Sequence, residues 1–252
     1  MRIIRAAVDE RIVHGAIQGD TVEVYCCDPI TNPDAKPTGE TLKLADVKLL
    51  APVLPGKVVA IGVNYASHAA EMGDTIHEDP IIFLKPSTAV IGPEDTILRP
   101  ASSQRVDHEA ELALVIGKTC KDIRAEDAAD YIYGYTCCND VTARDLQKKD
   151  GQWTRGKGFD TFCPLGPWIE TELDPADVGI SARVNGEVRQ NSRTKYLINA
   201  IPRLVEFVSA VMTLLPGDVI TTGTPEGIGA LLPGDVVEVE VEGVGILRNS
   251  VR

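Results

Sequence analysis

The chain has 252 residues, with 37 Asp and Glu against 25 Lys and Arg, for a formal charge of −12. An acidic surface argues against nucleic acid and anionic membranes as partners, and no apolar run is long enough to span a bilayer. A hydrophobic fraction of 44% with 25% charged residues is ordinary for a globular protein, and the length suits one large domain with a small appendage.

The segment 1–54 reads as a small N-terminal β domain. Ile3-Ile4, Ala16-Ile17-Gln18 and Val22–Tyr25 are short strand candidates, and Asp28-Pro29 and Asn32-Pro33 mark loops. The six cysteines include two adjacent pairs, Cys26-Cys27 and Cys137-Cys138, and no C-x-x-C. That pattern is neither a zinc framework nor a disulfide scaffold, and it fits reduced thiols in the cytoplasm. Ile3–Val8 is soon followed by Asp9-Glu10-Arg11, which is not a secretory leader.

Val53-Leu54-Pro55-Gly56 marks a boundary, and 55–252 reads as a larger domain. Lys57–Val63 is a buried strand, followed by a helical turn from Asn64 to Gly73. His68 and Glu71, at i and i+3, share a face of that turn. An exposed helix pair is the plainer meaning of this spacing; a histidine base oriented by a carboxylate is the functional one. Gly73–Asp79 is polar enough for a mobile lid. Ile81–Pro86 is a strand with Lys85 at its end, and Glu126–Tyr133 reads as a helix. Gly134–Asn139 is a strand that delivers Asp140 at its end, with a helix following over Val141–Gln147. Asp140 fits either a helix N-cap or a metal ligand. Lys157 lies between two glycines, in no phosphate-loop context. Asn185-Gly186 signals a hairpin. Asn199–Leu215 is the clearest helix, with Leu204, Val205, Val208, Val211, Met212 and Leu215 in one stripe. Leu-Leu-Pro-Gly-Asp occurs at Leu214–Asp218 and again at Leu231–Asp235, each as a type II turn leading into a strand. Between them, Gly223–Gly229 is no dinucleotide fingerprint; it reads as a loop offering backbone N–H groups to an anion.

The most informative stretch is Val106–Gly117, which reads as one continuous strand. Residues two apart in a strand share a face, so Glu109 and Glu111 point together, with Ala113 and Val115 continuing that face. Two carboxylates on a half-buried face repel and are costly to desolvate unpaired. A hard cation such as Mg²⁺ or Mn²⁺ would suit them, given a third oxygen ligand.

Taken in order, Gly62–Tyr65 with His68 and Glu71, Phe83–Pro86, Asp107–Leu112, Asn139–Asp145, Lys157–Asp160 and Thr222–Pro225 resemble the fumarylacetoacetate hydrolase family from about Pro55 to Arg252. The resemblance implies an α+β, β-rich fold, a mixed β-roll behind the small N-terminal domain, and a homodimer. It implies Mg²⁺ or Mn²⁺ on Glu109, Glu111 and Asp140. It makes His68 and Glu71 the water-activating pair, Lys157 a catalytic cation, and Arg144, Gln147 and Thr224 substrate contacts. A small anionic β-oxo 2-oxo acid would then be cleaved through a pyruvate enolate, by acylpyruvate hydrolysis or oxaloacetate decarboxylation. The same site would serve a 2-hydroxyhepta-2,4-diene-1,7-dioate isomerase or a 5-carboxymethyl-2-oxo-hex-3-ene-1,7-dioate decarboxylase. A non-catalytic 2-oxo-acid binder is the remaining alternative, and it would have no use for the His68–Glu71 base.

Overall fold

A computed structural model describes residues 1–252. Three open sheets carry the chain. The largest runs, in spatial order, Pro37–Lys43, Thr21–Tyr25, Arg11–Gln18, Arg2–Val8, Cys163–Glu170, Ile132–Asn139, Ala110–Ile116, Val219–Thr221, Val58–Gly62 and Ile81–Lys85. The N-terminal strands therefore extend this sheet, because Arg2 and Ile3 pair with Glu170 and Ile169. Pairing is mostly antiparallel, with Val219–Thr221 parallel to Val58–Gly62. The second sheet runs Glu187–Arg193, Gly179–Val184, Val236–Val241, Gly245–Val251 and Thr96–Ile97, and the third joins Thr142–Ala143, Val106–His108 and Gly229–Ala230. None closes into a barrel.

Every residue of Ala110–Ile116 is buried, and its two faces serve different cores. Ala110, Leu112, Leu114 and Ile116 pack with Ile180 and Val239 of the second sheet and with Leu204, Val205 and Val208 of the helix Ile201–Val211. Ala113 and Val115, on the face of Glu111, pack with Ile3, Val58, Cys163 and Ile169. Truncating one of these leucines to Ala would cost about 2–5 kcal/mol. Glu111 thus emerges from a strand that cannot shift without opening two cores.

Several sequence expectations need correction. Val106–Gly117 is two strands: the ladder breaks at Glu109, which passes from the third sheet to the first. Its N–H donates to Asn139 Oδ1 and its carbonyl accepts from Asp140 N. The chain around Asp140 makes the same transfer, so two acids lie where the sheets part. Glu126–Tyr133 is a 3-10 turn over Ala125–Tyr131 followed by a strand. Asn199–Leu215 shortens to Ile201–Val211, because Met212 takes extended dihedrals; Val211 and Leu215 are exposed, and the buried stripe is Leu204, Val205 and Val208. Asp140 caps no helix, since the next one starts at Arg144 after Ala143. The Asn185-Gly186 turn has positive φ at both residues, as a type I′ hairpin requires. In the two Pro-Gly turns, the Asp218 and Asp235 carboxylates accept from the backbone N–H three residues earlier. All six cysteines are free, with Cys26 exposed, Cys27 half-buried and the other four buried.

Candidate active site

Glu109, Glu111 and Asp140 converge: one oxygen from each lies within 4.8 Å of the other two, and all three residues are buried. Each is held differently. Lys157 Nζ donates to Glu109 Oε2 and to Asp140 Oδ2, both at 2.7 Å. Arg144 Nη2 donates to Glu109 Oε1, while its Nε donates to Asp107 Oδ2 at 3.0 Å and its Nη1 to Gln147 Oε1 at 2.7 Å. Lys85 spends all three of its donors on Asp140 Oδ1, the Lys157 carbonyl and the Val141 carbonyl. Glu111 accepts only a backbone bond, from Gly223 N at 2.8 Å. Gly223 has φ +93°, and a Cβ there would lie 2.8 Å from Asn64 Cβ, so this donor needs glycine.

The buried acids are not served equally. Asp107 pairs with Arg105 and Arg144, Glu109 with Arg144 and Lys157, and Asp140 with Lys85 and Lys157, which leaves Glu111 alone without a cation. Burial would lift the Glu109 pKa, but Lys157 and Arg144 outweigh it and hold the group well below the usual carboxylate range. For Glu111, burial acts together with Asp140 and Glu109, and its pKa is pushed well above that range. Burial also works against the Lys157 ammonium, yet Asp140 and Glu109 raise its pKa. Two carboxylates two residues apart are thus driven in opposite directions. Only the Glu111 corner lacks a cation, and three convergent oxygens around it fit a hard divalent ion.

Glu109, Glu111 and Arg144 line one side of a cavity of about 250 Å³, with His68, Gln147 and Thr224 also in its wall. Ile61, Val63, Met72 and Trp153 supply its apolar surface. His68 lies on the helix Ala66–Met72, and its Nδ1 donates to Glu71 Oε2 at 3.2 Å. Glu71 is fixed in turn by Gly227 N, which donates to its Oε1 at 3.0 Å. With Nδ1 as donor, His68 Nε2 carries the free lone pair, the form a general base needs. The Gly223–Gly229 loop therefore does offer N–H groups to anions, but the anions are the chain's own Glu111 and Glu71. Thr224 turns its hydroxyl inward, donating to the Ala110 carbonyl and accepting from Gln190 Nε2. Asp140 and Lys157 stand behind the lining, with Lys157 Nζ 5.1 Å from the centre of the Phe83 ring.

Three supporting residues have roles that the sequence does not reveal. Asp107 anchors Arg144. Lys85 anchors Asp140. Gln190 ties Ala110 N, His108 and Thr224 together from the second sheet. A lysine closing an apolar strand is the available signal for Lys85; Gln190, in a polar hairpin strand, gives none.

The model of the fumarylacetoacetate (FAA) hydrolase C-terminal domain matches residues 57–252. The chain belongs to the fumarylacetoacetate hydrolase family. Residues 1–52 match a separate family described as Rv2993c-like, N-terminal. A solved 5-carboxymethyl-2-hydroxymuconate delta-isomerase from Mycobacterium smegmatis is 54% identical, with a TM-score of 0.94 over 100% of this chain and 99% of that one. The mitochondrial oxaloacetate tautomerase fahd2 of Xenopus laevis is 46% identical over 83% of this chain and 70% of its own. A maleylpyruvate hydrolase from Sphingobium, solved with manganese(II) and pyruvate, is 34% identical, with a TM-score of 0.82 over 100% of this chain and 98% of that one. The chain is thus a member of an enzyme family whose relatives include isomerases, tautomerases and hydrolases.

Proposed function

We propose that this chain is a Mg²⁺- or Mn²⁺-dependent enzyme that labilises a bond β to the keto group of a small 2-oxo acid. Acylpyruvate hydrolysis and oxaloacetate decarboxylation are the first candidates. The observation that carries the reading is the meeting, in one cavity, of a cation-deficient carboxylate triad and an oriented histidine base. A divalent ion held by Glu109, Glu111 and Asp140 would supply a Lewis acid for the 2-oxo group and cancel the charge left on Glu111. Lys157 and Arg144 keep Glu109 ionised and place positive charge behind the substrate, where negative charge grows as the bond beyond C3 breaks. His68 takes a proton on Nε2, and Glu71 stabilises the resulting imidazolium through Nδ1.

Hydrolysis uses that base to draw a proton from water attacking a C4 acyl group. Decarboxylation of oxaloacetate releases CO₂ and needs no water. A second reading, proton transfer at C3, is supported by the isomerase and tautomerase among the relatives, and it would place the same His68 against the C3 proton. The reading includes a homodimer in the cytoplasm; free buried thiols suit a reducing compartment, and no helix is long and apolar enough to cross a membrane. The test is a panel of acylpyruvates, oxaloacetate and muconate-type diacids with each metal. Pyruvate release marks cleavage, and loss of enol absorbance without pyruvate marks tautomerisation. Full activity after chelation and gel filtration would refute the metal-dependent reading.

A further inference from the structure

We propose that Lys148 recognises a second, distal carboxylate, so that the preferred substrates are 2-oxo diacids. The inference rests on the 2-oxo-acid reading above and names the substrate class. Arg144, Gln147 and Lys148 are i, i+3 and i+4 on the helix Arg144–Asp150, so one face presents all three to the cavity. Arg144 commits its charge to two buried carboxylates, Asp107 and Glu109, and a third N–H to Gln147. Lys148 is the other cation in the cavity wall, and its ammonium makes no ion pair and no hydrogen bond within the chain.

Position along the helix gives the reach. Arg144 is 4% exposed and lies against Glu109, whereas Lys148 is exposed. Four residues of helix advance about 6 Å, so Lys148 sits roughly one turn outward from the acidic end. A 2-oxo acid with its keto-carboxylate end at Glu109 and Glu111 would carry a distal carboxylate to that level. Acids also face this space, namely Asp74 from the segment after the helix Ala66–Met72, with Glu109 and Glu111. At the outer end of the cavity, Lys148 is the cation a distal carboxylate would meet, while Asp74 would repel it. A basic residue in a last helical turn also complements the helix dipole, but Lys149 does that equally well without touching the cavity.

The test compares maleylpyruvate, an acylpyruvate with a second carboxylate at its far end, with acetylpyruvate, which has one carboxylate and would undergo the same hydrolysis. In Lys148→Met, the ratio of kcat/KM for maleylpyruvate to kcat/KM for acetylpyruvate should fall about tenfold, mainly through KM, the loss of one charge-assisted contact. Lys148→Glu should lower it further, Lys148→Arg should restore it, and Lys149→Met should leave it unchanged. An unaltered ratio in Lys148→Met overturns the proposal. If the wild-type protein turns over neither compound, or only one, the preceding reading fails or narrows. Lys148 is then judged by calorimetry with Mn²⁺, comparing pyruvate with 2-oxoglutarate. A preference for the diacid that disappears in Lys148→Met supports the assignment, and one that survives ends it.

Discussion

The floor and the rim of the cavity are built on opposite terms. On the floor, Asp107, Glu109, Asp140, Lys85, Arg144 and Lys157 are each nearly sealed from water and paired to at least one opposite charge. Losing one partner there strands a buried ion, so the arrangement has little freedom. At the rim, the His68–Glu71 pair is held by one bond between the two side chains and one from Gly227 N, Glu71 is 31% exposed, and Gly73–Asp79 forms no helix or strand. Lys148 has no partner. The difference assigns labour. On the function proposed above, the floor would fix chemistry that isomerases, tautomerases and hydrolases can share, and the rim would decide which substrate enters and which bond of it reacts.

Breaking the floor should have the largest effect. Glu111→Ala removes the one corner without a cation and should reduce turnover of every substrate to background. Manganese titration followed by electron paramagnetic resonance should show binding lost, not merely weakened. In the intact protein, metal at about 100 times its dissociation constant should stabilise the fold by about 2.7 kcal/mol, a shift that Glu111→Ala should abolish. Next comes the boundary between floor and rim. His68→Ala should lower acylpyruvate hydrolysis by about 10²–10⁴-fold, the usual worth of a general base. Oxaloacetate decarboxylation should fall far less. Equal losses in both reactions would mean that His68 holds the site together and moves no proton.

The comparison also separates what the sequence can say from what it cannot. Turns are legible because their chemistry is local: Asn185, Gly186 and the glycines of both Pro-Gly pairs, Gly217 and Gly234, adopt the positive φ their residue types favour. The shared face of Glu111, Ala113 and Val115 follows from strand geometry alone. The convergence of Asp140 with Glu109 and Glu111 does not follow from spacing. It comes from resemblance, since 29 residues and a strand reversal separate Glu111 from Asp140. The break at Glu109 is hidden because Val106–Gly117 is apolar enough for one strand, and the group that interrupts it is the Asn139 side chain from the neighbouring strand. The Gly223–Gly229 loop shows its capacity for anions in its glycines, but not the two carboxylates, far away in sequence, that occupy its N–H groups.

Lys85 sharpens the contrast between positioning and reaction. Its ammonium occupies Asp140 Oδ1 and the Lys157 carbonyl, leaving Asp140 Oδ2 on the side of Glu109. Lys85→Met keeps the length of the side chain and leaves buried Asp140 with Lys157 as its one cation, a change of about 3–5 kcal/mol in stability. Metal affinity should fall about 10–100-fold, as for other groups that orient a ligand, and calorimetry with Mn²⁺ would measure it. Affinity that stays at the wild-type level would show that Lys157 alone aligns Asp140.

The smallest effect should come from the rim's apolar wall. A Cβ on Gly62 would lie 2.4 Å from the Trp153 ring, which also packs edge-on to Phe83 at 5.1 Å. Gly62→Ala must push the indole aside, at a cost of about 1–3 kcal/mol for overpacking. No charge moves, so metal affinity should match the wild type while KM rises, because Trp153 lines the cavity and the acids do not shift. If metal affinity fell with KM, floor and rim would be mechanically coupled through this contact, and the division of labour between them would have to be redrawn.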